Sequence, residues 1–251
     1  MSASISTIFG APKNNYAILG KKYRKSHQKL DKKYSTLPTI LQLAGDYTGM
    51  IVADLGCGDG FFTIPLARHR NAEMVIGVDK SLEQLMLLEK RKLPPTVRPE
   101  HRDIFVSLPY AHLFVVPYVI NYAEDTTMLE AFFNKLYEHL YPGGRIILVV
   151  DLPSGDNLKR FGATKIPLGP YKDGTRIQID LYQNSDKPIC RLHSTYVRPR
   201  TITAGLRKAG FELVQWHMPM VSPTGYLRFG RAFWKKYLSN PELGYVTAMK
   251  S

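Results

Sequence analysis

A glycine-rich turn that joins an apolar run to a helix is the feature that most constrains the fold of this chain. The apolar residues 50–53 lead straight into Asp54-Leu55-Gly56-Cys57-Gly58-Asp59-Gly60-Phe61. This pattern predicts a β-strand, a tight turn and the start of a helix, whose uncovered backbone amides form a polar cradle for a nucleotide-type ligand. The dinucleotide fingerprint G-x-G-x-x-G is not met, because the third glycine, Gly60, comes one position early.

Strand and helix patterns alternate from residue 50 to residue 151, which predicts a mostly parallel sheet with helices on both faces. Five strands are predicted in this part of the chain, at residues 50–55, 74–79, 97–102, 112–116 and 145–150. Helices are predicted between them, at residues 62–69, 81–92 and 127–140. Ser81 with Gln84, and Thr127 with Glu130, have the spacing of capping boxes for the second and third helices.

The character of the chain changes after residue 151. Residues 152–175 contain seven glycines and prolines, which predicts a long loop of the kind that is usually functional or mobile. Alternating apolar residues at 177–181 and 189–197 predict an antiparallel hairpin that lies over the sheet. A helix at 201–209 and two strands at 211–217 and 244–249 complete the predicted elements.

Length and composition exclude several classes of protein. With 251 residues, of which 44% are hydrophobic, the chain can bury the core of one large α/β domain. No apolar run approaches the ~20 residues of a membrane helix, so no membrane partner is expected. Two cysteines do not make a disulfide framework, and the first twenty residues lack a signal-peptide pattern. We therefore expect a cytoplasmic protein.

The net charge of +13 is concentrated in a basic run at residues 21–33, which contains seven lysines and arginines. One interpretation is a docking surface for nucleic acid or another polyanion. The other is the solvated face of an N-terminal helix. The second is favoured, because no RNP, KH or zinc-finger motif accompanies the run.

Asp54 stands two residues before the first glycine and completes D-x-G-x-G-x-G, which resembles motif I of the class I S-adenosylmethionine (SAM) methyltransferases. Residues 15–23 resemble the Y-D-x-I-A-x-x-Y opening of many small-molecule methyltransferases, with Ala17 in place of the usual Asp. Residues 209–216, 221–225 and 233–234 resemble the branch that includes the toxoflavin-synthase type of N-methyltransferase.

The resemblance implies an α/β, Rossmann-like class I methyltransferase. Its sheet would be seven-stranded and mostly parallel, with an antiparallel hairpin inserted after strand five. We expect a single methyltransferase domain over residues 1–251. Within it, residues 1–45 would form an N-terminal helical or lid segment, and residues 152–200 an inserted region that covers the substrate.

The resemblance also implies a SAM site at the carboxyl edge of the sheet. Asp79, at the end of strand two, would accept both ribose hydroxyls; the alternative is a cap for the next helix. Asp103 and Ile104 would contact the adenine, and Asp54 would organise the turn or lie near the methionine ammonium. The expected cofactor-binding residues are Tyr23, Asp54, Gly56, Cys57, Gly58, Gly60, Asp79, Lys80, Asp103, Ile104 and Val116.

Methyl transfer from a sulfonium is an in-line displacement, so the protein contributes mainly alignment, and a base is required only for a protonated nucleophile. No catalytic residue and no metal are therefore assigned. The expected substrate-binding residues are Tyr16, Tyr118, Tyr171, His193 and Tyr196. His193 has the alternative of lying on the surface of the hairpin, and Tyr16 and Tyr23 could form a lid.

The favoured function is methyl transfer from SAM to a small, aromatic or heterocyclic metabolite. The alternative is an RNA or protein methyltransferase that uses the basic N-terminal run. A third hypothesis, a SAM-binding protein without activity, is disfavoured by the intact glycines and Asp79. The acceptor, the methylated atom and the oligomeric state stay open.

Overall fold

The computed structural model describes residues 29–155, 157–182 and 187–251. Its main sheet has seven strands in the order β3-β2-β1-β4-β5-β10-β9. These strands are β1 Ile51–Leu55, β2 Met74–Asp79, β3 Val97–His101, β4 Ala111–Pro117, β5 Leu140–Asp151, β9 Glu212–His217 and β10 Leu243–Met249. Strands β1 to β5 pair in parallel, and β10 runs antiparallel to both β5 and β9. The predicted mostly parallel seven-stranded sheet is confirmed.

Helices cover both faces of this sheet, as predicted. On one face lie α1 Leu37–Ala44, which continues a π-helical turn at Lys32–Thr36, and α2 Thr63–His69. The other face carries α4 Thr126–His139 and α5 Pro199–Lys208. Successive side chains of a strand point to opposite faces, so both sides of the central strands are apolar. Helix α3, Leu82–Glu89, packs against the glycine turn through Leu85 and Leu88.

Two helix boundaries differ from the predictions. Helix α3 begins after Ser81, whose hydroxyl accepts the amide hydrogen of Gln84, but it ends at Glu89 rather than near residue 92. Helix α4 is capped by Asp125, whose carboxylate accepts from the amide of Met128 at 2.7 Å, and not by Thr127. A carboxylate in an extended backbone conformation can reach this amide, whereas Thr127 already lies inside the helix.

The segment after β5 contains a three-stranded antiparallel sheet, where the sequence predicts a loop and a two-stranded hairpin. A 3₁₀ turn at Lys159–Phe161 leads into β6 Ala163–Pro167, which pairs with β7 Arg176–Leu181, and β7 pairs with β8 Cys190–Thr195. The extra strand has no apolar alternation, because Lys165 is buried and Ile166 is exposed. We call β6, β7 and β8 the small sheet.

The last two helices, α6 Pro223–Phe229 and α7 Arg231–Ser239, carry the aromatic residues of 221–241. Trp234 is fully buried among Tyr34, Phe161 and Tyr237. Among the described residues, no helix is long and apolar enough to span a membrane. Tyr16, Tyr23 and residues 21–28 of the basic run lie outside the described part of the chain.

Candidate functional site

The glycine turn at residues 56–60 links the end of β1 to α2. Gly56 and Gly60 have φ angles of 76° and 82°, in the left-handed region that glycine adopts without steric cost. A Cβ atom at Gly56 would lie 2.8 Å from Val119 Cγ2, so the backbone also needs glycine for close approach. The amides of Gly56 and Cys57 both donate to the carbonyl of Val78, which fastens the turn to β2.

Asp79, at the end of β2, holds the same turn from the other side. Its Oδ2 accepts the amide hydrogen of Gly58 at 2.8 Å, and its Oδ1 accepts that of Ser81, also at 2.8 Å. Burial raises the pKa of Asp79 above its usual value. The carboxylate therefore organises both the turn and the entry into α3, and each oxygen keeps a further lone pair for a ligand.

Asp54 lies beneath the turn and is fully buried. Its Oδ2 accepts a hydrogen bond of 2.6 Å from the hydroxyl of Thr63, the first residue of α2. Its Oδ1 has no hydrogen-bond partner among the described residues. Desolvation by burial raises the pKa of Asp54 to about 7, so the site lacks a donor or a cation for this oxygen.

Cys57 and Val116 are core residues. The thiol of Cys57 is buried and its pKa is raised by burial, which is typical of a packing cysteine rather than a nucleophile. The side chain of Val116 lies in the main core, so any contact with a ligand would fall to its backbone. Lys80 is exposed, and its carbonyl contacts the ring of His101 at 3.1 Å.

Asp103 and Ile104 follow β3 at the same edge of the sheet. The Oδ1 of Asp103 accepts from the amide of Phe105 at 3.0 Å, and Ile104 is buried beside it. Asp103 thus holds a short turn that presents an apolar residue next to a carboxylate. This arrangement can hold the ring and the amino group of an adenine.

Tyr118 follows β4 and stands between the turn and a cavity. It has a φ angle of 65°, and such strain in a residue other than glycine is most often found at functional sites. Its hydroxyl lies 3.4 Å from Thr36 Oγ1, and its ring centroid is 6.4 Å from that of Phe62. The π-helical turn is thereby brought against the carboxyl edge of the sheet.

A cavity of about 40 Å³ lies between the π-helical turn, the ends of β4 and β5, and the small sheet. Its polar wall includes Tyr118, Lys32, Asp151 and Lys165, and its aliphatic wall includes Ile179, Leu181, Leu192 and Leu243. Nζ of Lys165 forms a buried ion pair of 2.7 Å with Oδ1 of Asp151 and also donates to the carbonyl of Glu242. Burial raises the pKa of the Glu242 carboxyl to about 7.

Three of the predicted substrate residues do not line this cavity. His193 lies on the opposite face of β8 from Leu192, beside Arg191, because adjacent strand residues point to opposite faces. Its pKa is lowered by burial and by nearby arginines. The prediction that His193 lines the pocket is wrong, and its alternative as a residue of the outer face is correct. Tyr171 is half exposed and packs edge-on against Tyr196, with ring centroids 5.6 Å apart.

Lys32 is the residue at this site that the sequence does not reveal. It belongs to the basic run, yet it is only 4% exposed, and its Nζ lies 4.5 Å from the centroid of the Phe61 ring. Burial lowers the pKa of Lys32 to about 7, and Lys29 adds to this effect. Nothing in the local pattern distinguishes Lys32 from its basic neighbours. Asp151, by contrast, is detectable as an acid that ends a buried strand.

Comparison with known proteins identifies the domain and the fold. Residues 52–144 match the sequence family described as "Methyltransferase domain". A search of curated proteins found no matching sequence.

Several solved structures share the fold. An S-adenosylmethionine-dependent methyltransferase from Mesorhizobium loti aligns at a TM-score of 0.63 and 17% identity, covering 90% of this chain and 100% of that chain. One from Clostridium acetobutylicum aligns at 0.61 and 17% identity, covering 95% and 100%. The glycopeptide N-methyltransferase MtfA aligns at 0.59 and 15% identity, covering 86% and 89%. At such identities the structures establish the fold alone. Together, the matched domain and this fold make the chain an S-adenosylmethionine-dependent methyltransferase of the class I type.

Proposed function

We propose that this enzyme methylates a small, aromatic or heterocyclic metabolite bound between the main sheet and a cover formed by residues 152–200. The observation that carries the proposal is the cavity, which is narrow and closed on one side by the small sheet. A small ligand fits a concave, mostly enclosed site, whereas a nucleic acid needs an open basic groove along its backbone.

The residues of the glycine turn fit the cofactor that the domain uses. When bound, SAM supplies a methyl group that its sulfonium already activates. The remaining lone pairs of Asp79 would accept the ribose hydroxyls, and the unpartnered Oδ1 of Asp54 would accept the methionyl ammonium. Asp103 and Ile104 would take the adenine. Cys57, Lys80 and Val116 would contribute through their backbone.

On the acceptor side, Tyr118 is the predicted residue that lines the cavity, and alignment of the acceptor is its proposed role. Tyr16 and Tyr23 stay predictions for a lid over both ligands, and Tyr171 and Tyr196 for an outer rim. The narrower proposal is an N-methyl acceptor, since the C-terminal residues resemble toxoflavin-synthase-type enzymes and the fold is shared with MtfA.

The alternative, methylation of RNA or protein across the basic run, is less well supported by the described part of that run. Lys32 is buried, and Nζ of Lys29 lies 3.6 Å from the carboxylate of Asp31, with both side chains less than a tenth exposed. Two of the seven basic groups thus face inward, where they are unable to contact phosphates.

The proposal is tested with methyl-labelled SAM. The purified protein is incubated separately with a low-molecular-weight metabolite extract, with bulk RNA and with a protein extract, and labelled products are identified by mass. We expect label in a small product, and its loss in the Asp79→Asn variant. Label in RNA or protein, with none in small products, would overturn the small-molecule acceptor.

A further inference from the structure

We propose that Lys32 is a cofactor-binding residue whose ammonium receives the α-carboxylate at the methionyl end of SAM, while Asp54 receives the α-ammonium. The inference deepens the proposed function and rests on the use of SAM at the glycine turn. It moves Lys32 from a basic surface, where the sequence places it, into the binding machinery.

The first observation is the position of Lys32. Its Nζ lies 4.5 Å from the ring centroid of Phe61 and 5.3 Å from that of Phe62, the two residues that directly follow the glycine turn. Its own amide donates to Oδ1 of Asp31 at 2.7 Å, which fixes the backbone at the start of the π-helical turn. Lys32 also lines the cavity together with Tyr118. The ammonium is therefore held over the turn, between the candidate cofactor site and the candidate acceptor site.

The second observation is that the charges around Lys32 do not compensate for its burial. Asp59, Asp31 and Asp54 attract the ammonium, but desolvation and the repulsion from Lys29 outweigh them and lower the pKa to about 7. The three acids are engaged elsewhere. Asp31 pairs with Lys29 at 3.6 Å, Asp59 lies 3.9 Å from Arg91, and Asp54 accepts from Thr63.

Asp54 has the opposite deficiency at the same place. One of its oxygens has no hydrogen-bond partner among the described residues, and burial raises the pKa of its carboxyl to about 7. A buried cation that lacks negative charge thus stands close enough to a buried acid that lacks positive charge for each to affect the other's titration.

A zwitterionic α-amino acid supplies both missing partners at once. Charge-assisted hydrogen bonds in a water-poor site are about twice as strong as neutral ones, so each pair would stabilise the bound ligand. Of the parts of SAM, only the methionyl end carries such a zwitterion. The adenosine part offers hydroxyls and a ring, which the geometry directs to Asp79 and to Asp103 with Ile104.

Two ligands separate the roles of the two halves of the cofactor. S-adenosylhomocysteine carries the amino-acid end, and 5′-methylthioadenosine lacks both its ammonium and its carboxylate. Calorimetry measures the binding of each to the wild type, to Lys32→Met and to Lys33→Met, an exposed neighbour that serves as the control. We expect Lys32→Met to weaken S-adenosylhomocysteine by about tenfold or more and to leave 5′-methylthioadenosine within about twofold. Lys33→Met should change neither.

Each other result overturns the inference in a recognisable way. Equal losses for both ligands would mean that Lys32 only supports the fold, and binding of 5′-methylthioadenosine reports that the variant is folded. Tighter binding of S-adenosylhomocysteine to Lys32→Met would mean that the ammonium competes with the ligand. If Lys32→Met does not fold, Lys32→Gln and Lys32→Arg take its place, and only the arginine should retain binding of S-adenosylhomocysteine. Failure of the wild type to bind either ligand would instead refute the proposed function.

Discussion

At the scale of single residues, the carboxylate of Asp79 has two tasks, since it accepts two backbone amides and is positioned for a ligand. We predict that Asp79→Asn weakens the binding of S-adenosylhomocysteine by roughly 1.5–3 kcal/mol, the range of hydrogen bonds to charged groups. Calorimetry gives the dissociation constant, and thermal unfolding checks that the variant remains folded. Glu89→Gln, an exposed acid at the end of α3, is the matched control. An unchanged dissociation constant for Asp79→Asn would leave Asp79 as a helix cap only.

Lys32 makes the stability of the ligand-free protein depend on pH. Its pKa is 10.5 in the unfolded chain and about 7 in the folded protein. Between these values the unfolded chain binds the proton and the folded protein does not, so the contribution of Lys32 to stability rises with pH. Below about pH 7 both states are protonated, and the unfavourable burial of the ammonium is fully present.

We therefore predict that Lys32→Met melts at a higher temperature than the wild type at pH 6, and that this advantage shrinks as the pH approaches about 10. Comparing the two proteins at each pH cancels the titration of groups that both share, apart from neighbours such as Asp54 that respond to Lys32 itself. The measurement is thermal unfolding monitored by circular dichroism without ligand. A difference in melting temperature that stays constant over this range would contradict the lowered pKa.

At the scale of elements, the small sheet is tied to the main sheet by buried polar contacts. The amide of Asn121 donates to the carbonyl of Thr195 at 2.7 Å, and its oxygen accepts from the amide of Asp151 at 3.1 Å. The buried ion pair of Lys165 and Asp151 joins β6 to β5. The glycine and proline content of this segment suggests mobility, but these contacts hold the small sheet in place over the cavity.

The ion pair provides a test of this docking. We predict that Lys165→Met destabilises the protein by about 3–5 kcal/mol, because it leaves the buried carboxylate of Asp151 unpaired. Adding Asp151→Asn should recover most of the loss. Lys208→Met is the control, since it breaks an exposed ion pair with Glu130 of similar length and should cost at most about 1 kcal/mol. Chemical denaturation measures all four variants, and equal costs for the two single lysine variants would refute a buried clamp.

At the scale of the whole molecule, the net charge of +13 leaves the nature of the acceptor to be tested directly. We predict that replacing Lys21, Lys22, Arg24 and Lys25 with glutamine leaves turnover of the small acceptor nearly unchanged. Binding of a polyanion would fall with added salt, with a slope of about −0.9 per phosphate contacted, whereas a small neutral acceptor has almost no such slope. Methylation of bulk RNA that disappears in this variant would identify the basic run as the substrate site.

The fold followed from local patterns in the chain. The glycine turn, the bounds of β2 and the buried face of α4 were all predictable, because each depends on residues a few positions apart. Strand β6 was missed for the same reason: a buried lysine and an exposed isoleucine reverse the alternation that identifies a strand. Its position depends on Asp151, which lies on another strand.

For the site, the sequence by itself determined the elements that carry the cofactor residues: the three glycines, Asp54, Asp79 and the pair Asp103 and Ile104. Only the tertiary structure decided which charges are buried and what faces them. Lys32 and Lys33 are adjacent in sequence, yet one is buried against Phe61 and the other is exposed. Desolvation and pairing arise from elements that meet in three dimensions, so the pKa values of Lys32 and Asp54 are properties of the fold rather than of local sequence.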